Sequence, residues 1–64
     1  MCLSKVYIDT KKKRKKIMQD VAYMQADNDG YVLIDLFGVR EFVQGQIKKV
    51  DFVDEHIVLI EQKK

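Results

Sequence analysis

Residues 21–36 read VAYMQADNDGYVLIDL, and this stretch decides the class of fold. The triplet Asn28-Asp29-Gly30 is a strong hairpin-turn signal, because these residue types tolerate the positive φ that tight turns require. A hairpin turn needs a strand on each side. We therefore predict strands over 21–27 and 31–36, although residues 17–26 also fit the apolar spacing of a helix.

Further short strand runs extend from this hairpin in both directions. They are separated by turns and cover residues 3–8, 40–44, 46–53 and 56–61. The apolar alternation slips at Lys48-Lys49, which predicts a β-bulge there. With no proline and no long helical pattern, residues 1–64 predict one all-β domain of about six short strands, a barrel or a sandwich.

Strand runs that are apolar on both faces predict a partner subunit. Residues 31–36 are nearly continuous in apolar residues and Ile57–Ile60 are apolar on both faces, which is more apolar surface than a 64-residue barrel buries internally, so some of it is expected to face a partner. Met18 and Met24 are predicted to lie in the core or in the interface. A domain of this size without disulfides is often stabilised by oligomerisation, and a homodimer is the commonest form.

The net charge of +2 hides a strong asymmetry along the sequence. Residues 1–16 carry a net charge of +6, whereas residues 17–62 carry −6. We interpret 9–16 as a hairpin loop with a solvated basic tip. The alternatives are that its basic residues bind an acidic partner protein or a nucleic acid. Nucleic acid is disfavoured, since the body is acidic and no aromatic residue interrupts the basic run. The basic residues are Lys11, Lys12, Lys13, Arg14, Lys15 and Lys16.

Cysteine content and hydropathy predict a cytoplasmic location. The single cysteine cannot form an intrachain disulfide, which favours a reducing compartment. Residues 2–16 contain no apolar signal-peptide core, and no stretch approaches the length of a membrane span.

Cys2 is the candidate metal ligand. If Met1 is removed, Cys2 offers a thiolate and an α-amine that form a five-membered chelate ring. If Met1 stays, its amine and the Cys2 amide can serve instead. One chain supplies too few donors, but two chains supply two sulfurs and two nitrogens, a set suited to square-planar Ni(II) or Cu(II). The alternative is that Cys2 binds no metal and is simply a small, partly buried residue of the first strand.

Two other residues could in principle have a chemical role, but we favour a structural interpretation for each. We interpret His56, the only histidine, as a solvent-exposed turn residue rather than as a metal ligand. Asp35 is predicted to accept backbone N–H bonds and hold a bend in the chain. The sequence contains no nucleophile–base–orienter set and no glycine-rich phosphate loop, so we predict that the protein is not an enzyme.

Three short motifs in a fixed order carry a family resemblance: Met1-Cys2-x-Ser4-Lys5-Val6-Tyr7, then Asp35-Leu36-Phe37-Gly38, then Val50-Asp51-Phe52. From Met1 to about Glu61 the chain resembles the CooT family, small proteins associated with nickel insertion into carbon monoxide dehydrogenase. The resemblance implies a small SH3-like β-barrel that forms a homodimer. It also implies one Ni(II) shared by the two Cys2 residues near the dimer axis.

The sequence thus leads to one main hypothesis and one alternative. The main hypothesis is a cytoplasmic, nickel-binding accessory protein, a carrier or sensor that assists maturation of a nickel enzyme. The alternative is a small β-barrel RNA-binding module that uses Lys11–Lys16, since some family members have been labelled RNA-binding. The long basic run departs from the family pattern, and the residues alone do not assign its partner.

Overall fold

The computed structural model describes residues 4–62, and these residues form six β-strands and no helix. Cys2 therefore lies outside the described residues, as do the other residues of 1–3 and 63–64. The prediction of an all-β protein with about six strands is confirmed, although β2 is 14 residues long and begins well before the predicted start at residue 21. The strands are β1 (Ser4–Asp9), β2 (Arg14–Asp27), β3 (Gly30–Asp35), β4 (Arg40–Gln44), β5 (Gln46–Asp51) and β6 (Ile57–Glu61).

All six strands belong to one sheet in the order β4-β3-β2-β1-β6-β5. Every neighbouring pair is antiparallel except β1 and β6, which run parallel, with Val6 opposite Val58. The first strand is therefore flanked by its own hairpin partner and by the last strand. This arrangement brings distant parts of the sequence to the same end of the sheet.

The sheet is open, so the prediction of a closed barrel is wrong. Its two edges are β4 and β5, which are consecutive in the chain and joined only by Gly45. Antiparallel neighbours usually need at least a two-residue loop, so strands joined by one residue cannot pair with each other. The sheet instead curls, so that its two edge strands are joined at Gly45 without pairing. The N–H of Gly45 donates to the carbonyl of Asp29, in the β2–β3 turn, at 3.1 Å.

Gly45 is required at that corner for two reasons. Its φ of +148° lies in a region that side chains rarely adopt, and an added Cβ would collide with the carbonyl oxygen of Glu61. The same Cβ would lie 2.9 Å from Cγ2 of Ile60. The corner thus depends on the absence of a side chain.

The core lies on the inner face of the curled sheet. Seven buried apolar residues form it: Val6, Ile8, Met18, Leu33, Val43, Val58 and Ile60. Met18 is in the core and Met24 packs against it, as predicted. All four residues Ile57–Ile60 are buried within the chain. β6 itself therefore presents little apolar surface, and the exposed apolar side chains of the described residues lie on other elements.

The first hairpin is tighter than the predicted loop over 9–16. Arg14–Lys16 belong to β2, and only four residues, 10–13, connect it to β1. The hydroxyl of Thr10 accepts the N–H of Lys13 at 3.1 Å and donates to the Lys13 carbonyl at 2.8 Å. These bonds hold the turn, while the charged side chains of the strand point into solvent, so their repulsion does not prevent pairing.

The other local predictions are largely confirmed. The turn after Asp27 places Asn28 at a φ of 57°, and Asp27 pairs with Gly30. The predicted bulge in β5 is present, since the register with β6 shifts between Ile47 and Lys49. The strand ends at residue 51 rather than 53.

Candidate functional site

The start of β1 lies at the same end of the sheet as the end of β3 and the start of β6. Ser4 pairs with Val21 of β2, and Val21 in turn pairs with Asp35 at the end of β3. The N–H of Lys5 donates to the carbonyl oxygen of His56 at 3.0 Å. In the sequence, β1 begins two residues after Cys2.

This end of the sheet exposes a group of apolar side chains. They come from the β3–β4 and β5–β6 connections, which the register places beside the start of β1. Phe37 is 80% exposed and Val53 is 90% exposed, which is unusual for residues of this size and polarity. We call the following residues the apolar end: Leu36, Phe37, Val39, Phe52 and Val53.

Asp35 holds the first of these connections, as the sequence predicted. Its Oδ1 accepts the N–H groups of Phe37 and Val39, both at 2.9 Å. Its backbone carbonyl also accepts the N–H of Gly38 at 3.0 Å, and Gly38 adopts a φ of 88°. The carboxylate therefore fixes the bend that turns Phe37 toward solvent.

Asp51 holds the second connection in the same way, and sequence reasoning missed it. Its Oδ1 accepts the N–H groups of Val53 at 3.0 Å and Asp54 at 2.9 Å. These N–H groups, that of Asp54 first, lower the pKa of the Asp51 carboxyl group below its ordinary value. The signal was available, because Asp35 and Asp51 are each followed by two apolar residues at the end of a strand.

His56 differs from its prediction. It does follow a turn, but it is half-buried rather than solvent-exposed, and its φ is 56°. The parallel pairing of β6 with β1 is the reason, since it places the residue before β6 against the start of β1. His56 thus lies at the apolar end, although it is far from Cys2 in sequence.

A shallow groove of about 170 Å³ lies beside the start of β1. Its lining includes Ser4, Val21, Tyr23, Phe52 and Val58, so it connects the inner sheet to the apolar end. The lining is mostly apolar and offers no metal-binding carboxylate or imidazole.

The described residues contain no ready-made metal site. Within 4–62, no group of three His, Asp or Glu side chains could hold a metal ion. A metal held by three such groups near the start of β1 would therefore need at least one donor from outside this range. The thiolate and nitrogens that Cys2 could offer fit that requirement.

The predicted basic residues lie at the opposite end of β1. Lys11–Lys13 are in the turn, Arg14–Lys16 are in β2, and all six are exposed. Arg14 approaches Asp9 at 3.4 Å, and Lys48 approaches the other oxygen of Asp9 at 3.1 Å. Lys48 first, and then Arg14, lower the pKa of the Asp9 carboxyl group. Sequence reasoning missed Lys48, because β5 reaches this end only through its pairing with β6.

The described part of the chain forms no helix long and apolar enough to cross a membrane.

These features define a class: a small protein with a single curled β-sheet, an apolar end beside its first strand and a basic hairpin opposite. The family model of CooT, the CO dehydrogenase accessory protein, matches residues 1–60. The chain therefore belongs to the CooT family, as the three motifs predicted.

A solved structure agrees with the fold. A protein described as a candidate CooT from Carboxydothermus hydrogenoformans superposes with a TM-score of 0.86 at 24% sequence identity. The match covers 98% of this chain and 100% of that one. At this identity the match supports the fold alone. No curated protein sequence matches the chain.

Proposed function

We propose that the protein is a nickel-binding accessory protein that carries or senses Ni(II) during maturation of a nickel enzyme such as CO dehydrogenase. It acts in the cytoplasm as a homodimer, has no catalytic activity, and holds one Ni(II) between two Cys2 thiolates and nearby N-terminal or backbone nitrogens. The observation that supports this most directly is the start of β1, two residues after Cys2, at the apolar end.

The apolar end provides a reason for the chain to dimerise there. Contiguous exposed apolar groups rimmed by polar residues are typical of interfaces, and each buried Å² of apolar surface contributes roughly 25 cal/mol. A two-fold axis through this surface would bring the starts of both β1 strands near each other. The two Cys2 residues would then supply the second half of each other's ligand set.

Three carboxylates that already have structural partners favour a cargo site over a catalytic one. Asp35 and Asp51 already accept backbone N–H bonds, and Asp9 is paired with two cations. Each of these groups therefore has a structural partner. A thiolate and nitrogen site that closes only between two chains is suited to binding and releasing a metal ion.

Nickel titration tests the proposal. We expect thiolate-to-nickel absorption to saturate at one Ni(II) for every two chains, and Cys2→Ser to abolish it. His56→Ala is the matched control, because His56 is half-buried beside β1 and is the rival ligand. It should keep the stoichiometry. Nickel binding by Cys2→Ser equal to that of the unmodified protein would contradict the proposal.

A further inference from the structure

The basic end of the sheet carries more positive charge than the hairpin alone suggests. Lys48 of β5 joins the hairpin cations there, since it contacts Asp9 at the end of β1. Among the described residues, Asp9 and Glu61 are neighbours at this end on β1 and β6, and Asp29 lies at the adjoining Gly45 corner, where its carboxylate accepts a hydrogen bond from Gln44. We call this surface the basic tip: Lys11, Lys12, Lys13, Arg14, Lys15, Lys16 and Lys48.

Several of these cations have no internal partner. Arg14 and Lys48 share Asp9, and Lys16 donates to the side chain of Gln19 at 3.0 Å. In the part of the chain that the structure describes, no carboxylate lies within ion-pair distance of the remaining four lysines: Lys11, Lys12, Lys13 and Lys15. Their charges are available to a ligand.

The turn that presents them is preorganised. The hydroxyl and the N–H of Thr10 both bond to the Lys13 carbonyl, at 2.8 and 2.9 Å, and the hydroxyl also accepts the Lys13 N–H. A hollow of about 310 Å³ lies between this turn and Gln62, whose N–H donates to the Asp9 carbonyl at 3.0 Å. Binding there would order side chains but not backbone, which lowers its entropic cost.

We propose that the basic tip is a docking surface for an acidic segment of a partner protein, a run of Asp and Glu side chains. The carboxylates of such a segment would enter the hollow and pair with Lys11–Lys13. The surface does not depend on nickel. It lies at the opposite end of β1 from the apolar end, so a docked partner would leave the start of that strand accessible.

The chemistry favours an acidic protein segment over a nucleic acid. Single-stranded nucleic acids bind through base stacking on aromatic side chains along a positive groove. Tyr7, the aromatic residue nearest in sequence, is half-buried. The exposed aromatic side chains of the described residues are Phe37 and Phe52 at the apolar end, Tyr23 on β2 and Phe42 on β4, and none belongs to the hairpin. Residues 17–62 carry a net charge of −6, which opposes a long polyanion that continues past the tip. A short acidic segment avoids both problems.

Fluorescence anisotropy with nickel-free protein tests the docking surface. The probe is a fluorescein-labelled oligoglutamate peptide. A labelled oligouridylate of equal charge is measured in parallel to represent nucleic acid. The variant Lys12→Gln/Lys13→Gln should weaken peptide binding about five- to tenfold, which corresponds to about 1–1.4 kcal/mol for the loss of two exposed ion pairs. The matched control is Lys5→Gln/Arg40→Gln, which removes the same charge from exposed positions elsewhere. It should change binding less than about twofold.

Three results would overturn the proposal. The first is an absence of peptide binding. The second is an equal loss of peptide binding in both double variants, which would indicate general charge attraction. Tighter binding of the oligouridylate, lost in the tip variant, would assign the surface to nucleic acid instead. The Cys2→Ser protein should bind the peptide as well as the unmodified protein does, so a failure of the nickel proposal and a failure of this one remain distinguishable.

Discussion

The N–H of Lys5 donates a 3.0 Å hydrogen bond to the carbonyl oxygen of His56. This bond lies at the start of the only parallel ladder in the sheet, between β1 and β6. It fixes the beginning of the first strand to the β5–β6 connection, which carries part of the apolar end. The backbone of His56 therefore matters more to this site than its position in the sequence suggests.

The left-handed backbone of His56 predicts an unusual ranking of substitutions. At a φ of 56°, glycine carries no steric penalty, whereas valine is strongly disfavoured. We expect the free energy of unfolding of His56→Val to be about 1–3 kcal/mol lower than that of His56→Gly. Urea denaturation measures the difference. The backbone of Glu55 is not left-handed, so Glu55→Val should be more stable than Glu55→Gly. A less stable valine variant at both positions would contradict the explanation.

The sequence predicted local elements well and long-range placement poorly. The Asn28-Asp29-Gly30 turn, the bulge near Lys48 and the bend held by Asp35 depend on neighbouring residues, and all three are present. The location of His56 depends on the parallel pairing of β1 with β6, for which no local pattern exists. A single-sequence argument cannot identify such a pair.

The same limit applies to the shape of the sheet and to the site. The sequence placed Gly45 alone between two predicted strands, but it did not show that these two strands form the opposite edges of the sheet. Apolar runs on the strands were expected to leave surface for a partner, whereas the two most exposed apolar side chains of the described residues, Phe37 and Val53, lie in the connections. Hydrogen bonds to carboxylates such as Asp35 and Asp51 decide which turn residues face solvent. The sequence predicted this role for Asp35 but not for Asp51.

Removal of the Asp35 carboxylate should loosen the β3–β4 connection. Asp35→Ala leaves the N–H groups of Phe37 and Val39 without their acceptor, and water can replace it only in part. We expect a loss of about 1–2 kcal/mol in the free energy of unfolding. Asp35→Asn, which keeps an oxygen acceptor, should lose less. The control is Asp54→Ala, and an equal loss there would show that the bonds to Asp35 do not stabilise the bend.

Acid should destabilise the protein through two carboxylates in different ways. The pKa values of Asp51 and Asp9 lie below the ordinary value of 3.8 in the folded chain. Each group therefore contributes stability above about pH 4, and this contribution is lost as the pH falls through the lowered pKa. Unfolding measured from neutral pH downward should show a smaller acid-dependent loss in Asp51→Asn than in the unmodified protein.

Salt should separate the two contributions. Asp9 is paired with Lys48 and Arg14, so added salt screens its stabilisation, whereas Asp51 is stabilised mainly by fixed N–H groups. In Asp51→Asn, the remaining acid-dependent loss should shrink as salt rises. In Asp9→Asn, it should change little. A common salt dependence in the two variants would contradict these assigned causes.

Disruption of the apolar end should separate the chains and remove the shared nickel site together. The double variant Phe37→Ser/Val53→Ser replaces the two most exposed apolar side chains, which contribute little to the monomer core. We expect the dimer dissociation constant, measured by sedimentation velocity, to rise about a hundredfold, since central apolar anchors commonly contribute 2 kcal/mol or more to binding.

The nickel stoichiometry should follow the association state. Once the chains are apart, each Cys2 offers only half of a ligand set, so saturation at one Ni(II) for every two chains should be lost. Ile47→Ser is the control, because Ile47 is a 43% exposed apolar residue on β5 near the basic tip. It should leave both the dimer and the stoichiometry unchanged. If the double variant is monomeric yet keeps its nickel affinity, the site is complete within one chain, and the two Cys2 residues do not share a metal.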